Sequence, residues 1–156
     1  MKIMRFPLLL AQLALLAALA LPLCAQTTNT IHIRLLDGKT GLPIQSANFM
    51  LRVDRRQTEH NEWLVINDDG TVVANLPAAI ETLSLKATYN ASMDTYIDCA
   101  ITKEKDRERD LWYSVADILK TGLVAPNECS KANFTAKPGE FIFFVRKRNW
   151  HDSVDE

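Results

Sequence analysis

Trp63, Trp112, Tyr113 and Trp150 are the side chains of this 156-residue chain best suited to recognition chemistry. Each joins a large apolar ring to a polar handle. Two of them sharing an exposed patch would stack on a sugar ring or anchor a protein partner. Large aromatics near strand ends are mostly buried, so packing into a core is the preferred expectation and the exposed patch is the alternative.

Residue types for catalysis are present without the spacing that catalysis needs. His60 and Glu62 flank Asn61 and could share a proton or a metal ion, but an isolated pair suits a solvated turn equally well. Ser114, His151 and Asp152 have the types of a nucleophilic triad. No nucleophile-elbow glycines surround Ser114, and a helix cap explains it better. Asn67, Asp68 and Asp69 offer oxygens for Ca²⁺ but lack a late bidentate Glu. A hydrolase would need perturbed carboxylates in one pocket, for example Asp94 or Asp98 with Glu140. The histidines are scattered at 32, 60 and 151, and neither Cys-x-x-Cys nor a Gly-rich phosphate loop occurs after the leader. The chain is therefore expected not to be an enzyme and to hold no metal and no cofactor. Asn90-Ala91-Ser92 and Asn133-Phe134-Thr135 are sequons, relevant only in a host that glycosylates them.

Any such side chains must be positioned by a domain that follows an export signal. Lys2 and Arg5 precede an uncharged, Leu- and Ala-rich run from Phe6 to Leu23, then Cys24-Ala25-Gln26 and a polar stretch. That is the pattern of a secretory signal over residues 1–25, cleaved after Ala25. Retention as an anchor, or lipidation of Cys24 in the Leu21-Pro22-Leu23-Cys24 context, are the alternatives. Residues 26–156 form one domain by length, with no membrane span once the signal is removed. Loss of Lys2 and Arg5 takes the formal net charge from −1 to −3, which does not suggest a nucleic-acid partner. The expected location is secreted or periplasmic. Cys99 and Cys129 are the two cysteines that remain, and an exported chain with two cysteines is expected to bridge them.

Strand signals dominate. Ile31, Ile33 and Leu35 alternate with His32 and Arg34. Phe49, Leu51 and Val53 alternate with Asn48, Met50 and Arg52. Further strands are expected over Trp63–Ile66, Thr71–Leu76, Leu83–Tyr89, Thr95–Ile101 and Phe141–Val145, the last apolar throughout and so covered on both faces. Turns fall at 37–41, at Asn67-Asp68-Asp69-Gly70 (read as a hairpin) and at 137–140. Lys103–Asp110 is a run of charges with no apolar face, read as a solvated loop. One short α-helix is expected near residues 114–121, with Ser114 as N-cap, Val115, Ile118 and Leu119 as its apolar stripe, and Gly122 past its end. The fold class is mainly β: a single immunoglobulin/transthyretin-like β-sandwich of about seven strands with that one helix.

Residues 31–53 resemble the opening of the carboxypeptidase regulatory-like domain, a transthyretin-like (prealbumin-like) sandwich. Asp37, Thr40, Gly41, Pro43, Ile44, Ala47 and Phe49 fill the places of its Asp-x-x-Thr-Gly-x-Pro-Ile…Ala-x-Val pattern, and Gly70-Thr71 is similar to its central hairpin. The chain departs from it at Ile80-Glu81-Thr82-Leu83, where the family has Gly-x-Tyr. Residues 112–150 resemble the C-terminal part of a group of exported bacterial proteins without a known activity, through Trp112-Tyr113-Ser114-Val115, Gly122, Pro126-Asn127, Cys129, Pro138-Gly139-Glu140 and Phe144-Val145-Arg146. The first resemblance implies a non-catalytic accessory or binding module. The expected function is thus an exported binding module whose partner is a protein. The alternatives are a carbohydrate-binding module that takes an envelope polysaccharide on its Trp residues, and a small exported hydrolase.

Overall fold

The computed structural model describes residues 27–45, 48–54, 61–87, 96–100 and 111–149. Strand β1, Thr28–Asp37, follows the alternation of its sequence: Ile31, Ile33 and Leu35 are buried and His32 is exposed. β2 is Asn48–Val53, β3 Asn61–Val65, β4 Thr71–Pro77, β5 Thr82–Ala87 and β6 Tyr96–Asp98. β7, Tyr113–Ser114, leads into helix α1, Val115–Thr121, followed by β8, Leu123–Val124, and β9, Glu140–Lys147.

The strands form two packed sheets, a β-sandwich. One has the order β4-β1-β9-β6, with β8 also paired to β9. The other has the order β3-β2-β5-β7. β1 runs parallel to β9 and antiparallel to β4. Every pair of the second sheet is antiparallel. Residues of like parity meet between the sheets: Ile33 and Leu35, Phe49 and Leu51, Leu83 and Leu85, Phe141 and Phe143.

All seven expected strands are present. The two extra ones, β7 and β8, are two residues each, too short to leave a periodic trace in sequence. The turn at 67–70 differs from a hairpin in one respect. It is tight, with the Gly70 amide donating to the Asn67 carbonyl at 2.9 Å and Gly70 at φ 77°, but it joins β3 of one sheet to β4 of the other. Asn, Asp and Gly specify the left-handed turn. They do not specify which partners the flanking strands choose.

The helix ends as its sequence dictates. The Ser114 hydroxyl accepts from the Asp117 amide at 3.2 Å, Val115 and Ile118 are buried, and the Gly122 amide donates to the Ile118 carbonyl. The charged run 103–110 lies outside the described residues.

β9 is apolar on both faces because both are covered. Phe141, Phe143 and Val145 face the second sheet. Ile142 and Phe144 face away, into a second cluster with Leu36 and Cys99. Residues 125–137, which have no regular secondary structure, form the lid of that cluster. Three devices pin this strap. The Cys99–Cys129 disulfide has a Cα–Cα separation of 5.5 Å. Asn127 Nδ2 and Ser130 Oγ both donate to the Gly38 carbonyl, at 2.9 and 2.5 Å. Phe134 packs on Phe144 with ring centroids 5.3 Å apart.

Candidate functional site

The alternation of β3 decides which of its side chains face outward from the second sheet. Leu64 and Ile66 take the inward positions and are buried. Trp63 and Val65 must therefore point outward, and they are 57% and 67% exposed. β3 is also the outermost strand of its sheet, paired among the described residues with β2 alone. One side of its backbone is thus left unpaired by the sheet. The preferred expectation of core burial is wrong for Trp63.

Behind β3 the outer face continues with Met50, which stands opposite Trp63 on one flank and Lys86 on the other. In the next row Arg52 stands opposite Ser84. Arg52 Nη2 donates to Ser84 Oγ at 3.2 Å, and its guanidinium carbon lies 5.1 Å from the centroid of the Trp112 ring. This cation–π contact covers a face of Trp112 and accounts for Ser84 being only 2% exposed on an outer face. Trp112 is half-buried. It precedes β7, three strand spacings from β3, or roughly 14 Å, so the two indoles share a face without sharing a patch.

Tyr113 has the opposite parity and points into the core. It is 8% exposed, with its ring centroid 4.8 Å from that of Phe141. Burial, with a smaller contribution from the Asp98 carboxylate, pushes its hydroxyl well above the ordinary tyrosine range. The hydroxyl has no hydrogen-bond partner among the described residues. Tyr113 is thus structural in placement, and Trp150 lies outside the described residues.

The described residues bring together no complete set of the catalytic alternatives. Ser114 caps α1, while His60, Asp94, His151 and Asp152 lie outside the described residues. Asp98 stands opposite Val145, five residues along β9 from Glu140, roughly 16 Å away. Glu140 pairs instead with Arg34, Oε1 to Nη1 at 3.0 Å, and accepts the Lys137 amide at 2.9 Å. Asp69 closes its own turn: its carboxylate accepts the Thr71 hydroxyl at 2.6 Å and the Thr71 amide at 3.0 Å. The Thr71 hydroxyl and then its amide hold the Asp69 carboxyl below the usual range. No three His, Cys, Asp or Glu side chains meet as a metal site among the described residues.

Compared with known proteins, the chain matches no family model, no curated relative and no solved structure. No helix among the described residues is long and apolar enough to cross a membrane. The surface itself therefore has to carry the functional reading. Sequence reasoning singled out Trp63 and Trp112 but missed Val65, Met50 and Lys86. The signal was in the parity of 61–66: once Leu64 and Ile66 are assigned inward, Trp63 and Val65 are outward together.

Proposed function

We propose that the chain is an exported, non-catalytic interaction module of the carboxypeptidase regulatory-like kind, and that it binds a protein through the β3 edge. The observation that carries this reading is the pair Trp63 and Val65, exposed on one side of a strand whose outer backbone edge has no strand partner among the described residues. Soluble domains usually blunt such an edge with lysine, proline or a bulge. Here it presents an indole and an isopropyl group. An incoming extended segment would gain main-chain hydrogen bonds from β3 and side-chain contacts from these two residues, the β-augmentation mode of recognition.

A protein partner is favoured over a polysaccharide because Trp112 already has a ring face under Arg52. That leaves Trp63 as the one exposed indole among the described residues, where a sugar platform would be expected to offer several. The disulfide supports the export that the reading assumes, since such bonds persist in oxidising compartments.

Photo-crosslinking in the native host tests it. A photoreactive residue at position 63 or 65 is expected to trap one discrete protein, and the same residue at His32, on the other sheet, is expected to trap none. Adducts of polysaccharide alone from position 63 would replace this reading with the carbohydrate-binding one.

A further inference from the structure

The hydrogen-bond phase of the second sheet fixes which main-chain groups β3 can offer. The Asp54 amide donates to the Thr82 carbonyl at 2.8 Å. These two residues stand opposite each other, one step beyond the pair Val53 and Leu83. Along an antiparallel strand, successive residues bond to alternate neighbours. Met50 and Arg52 therefore bond toward β5, while Phe49 and Leu51 bond toward β3. Their partners Leu64 and Glu62 bond back to β2. The N–H and C=O groups of Asn61, Trp63 and Val65 point the other way, to the edge that has no strand partner among the described residues.

The side chains complete the pattern. Trp63 and Val65 are exposed on the outer face. On the inner face Leu64 is buried, and Glu62, of the same parity, is exposed with no ion-pair partner among the described residues. Every pair of this sheet is antiparallel. A strand continuing it in the same sense runs past Val65, Leu64, Trp63 and Glu62 in that order. We propose that β3 takes an antiparallel segment in this one register: three successive apolar or β-branched residues followed by a lysine or arginine. Main-chain bonds to Asn61, Trp63 and Val65 hold the segment, and the cation pairs with Glu62. The proposal rests on the β3 reading above and adds the register and the partner's sequence. A second copy of the chain fits less well. An inward-facing charge on an edge strand guards against self-association. Self-pairing of Trp63 with Trp63 would set the two Glu62 carboxylates diagonally across one face, where like charges repel.

The test is an amide-resolved NMR titration of the oxidised protein with the blocked peptide Ser-Val-Ile-Thr-Lys-Ser, in which Val, Ile, Thr and Lys meet Val65, Leu64, Trp63 and Glu62. Saturable shifts are expected along β3 and not along β4, the outermost strand of the other sheet. Glu in place of the peptide's Lys should weaken binding by up to about fivefold, the range of an exposed ion pair. Glu62→Lys should reverse that preference. N-methylation of the peptide's Thr amide, which faces β3, should abolish binding, whereas N-methylation of its Ile amide, which faces away, should be tolerated. Binding at β3 with no charge preference, or with both methylations equally harmful, would overturn the register and leave the β3 reading standing. No binding of this peptide, while crosslinking from position 63 still traps a protein, would likewise overturn this proposal alone. Failure of peptide and crosslinking together would overturn both, and a dimer joined through β3 would replace the partner with a second copy.

Discussion

Asn127 donates its side-chain amide to the carbonyl of Gly38, 2.9 Å away and 89 positions earlier in the chain. The contact joins the turn after β1 to the strap that covers β9, so the first and last thirds of the domain are fixed to each other at one peptide group. The Gly38 amide donates in turn to the Val145 carbonyl at 2.8 Å. A Cβ at position 38 would collide with Cys99 Sγ, come within 2.8 Å of Asn127 Oδ1 and lie 3.0 Å from Cys129 Cβ. Glycine is required there by close approach.

Gly38→Ala should therefore destabilise the domain by about 1–3 kcal/mol, the usual cost of forcing extra volume into a packed site. Urea unfolding followed by circular dichroism measures it. In a Cys99→Ala/Cys129→Ala background the sulfur is gone and the strap can move, so the same substitution should cost measurably less. An equal cost in both backgrounds would show that the collision with the strap is not what makes glycine necessary.

The Cys99–Cys129 bridge closes a loop with a sequence separation of 30. In the chain-entropy model such a loop contributes about 3–4 kcal/mol. The double Ala variant should lose about that amount in urea. It should also expose the second cluster, seen as binding of a hydrophobic dye that the oxidised protein does not take up. Intact mass tests the export proposed above: the protein isolated from its host should match a chain that begins at Gln26 and carries the bridge, whereas a diacylglycerol adduct on Cys24 would mark a lipid-anchored form.

What was legible in the sequence was whatever repeats locally. Period-2 alternation located β1, β2 and β5, and the Ser114 and Gly122 caps located α1. The uninterrupted apolar run at Phe141–Val145 announced a strand covered twice. Pairing was not legible. Asn67-Asp68-Asp69-Gly70 looks the same whether its strands pair with each other or cross to opposite sheets. The strap was also hidden, because residues 125–137 carry no period, and its docking on Gly38 depends on a contact 89 positions away. The average habit of its type places Trp63 in the core; only the neighbours Leu64 and Ile66 reveal that its parity points outward.

That contrast is measurable on two side chains. Leu51 is fully buried between the sheets, and Leu51→Ala should cost about 2–5 kcal/mol. Trp63→Ala removes a larger side chain from an exposed position and should change stability by no more than about 0.5 kcal/mol. It should nonetheless abolish partner binding. If Trp63→Ala proved as destabilising as Leu51→Ala, the indole would have a structural role and the β3 edge would lose its main anchor.

Tyr113 gives a prediction in pH. Its hydroxyl titrates above the ordinary value of 10.0 in the folded protein, chiefly because burial penalises the phenolate, with Asp98 adding to the effect. Below pH 10 both folded and unfolded chains hold this proton, and stability is unaffected. Above it the unfolded chain releases the proton while the folded chain keeps it, so stability falls as pH rises, by up to about 1.4 kcal/mol per pH unit for this one group. Tyr113→Phe should remove that slope. It also removes a buried hydroxyl that has no hydrogen-bond partner among the described residues, which costs free energy where it stands. The variant should accordingly be as stable as the parent or slightly more so at pH 7, and clearly more stable at pH 11. Urea midpoints at the two pH values decide it, and a Tyr113→Phe variant with the parent's full alkaline slope would place the titration on other groups.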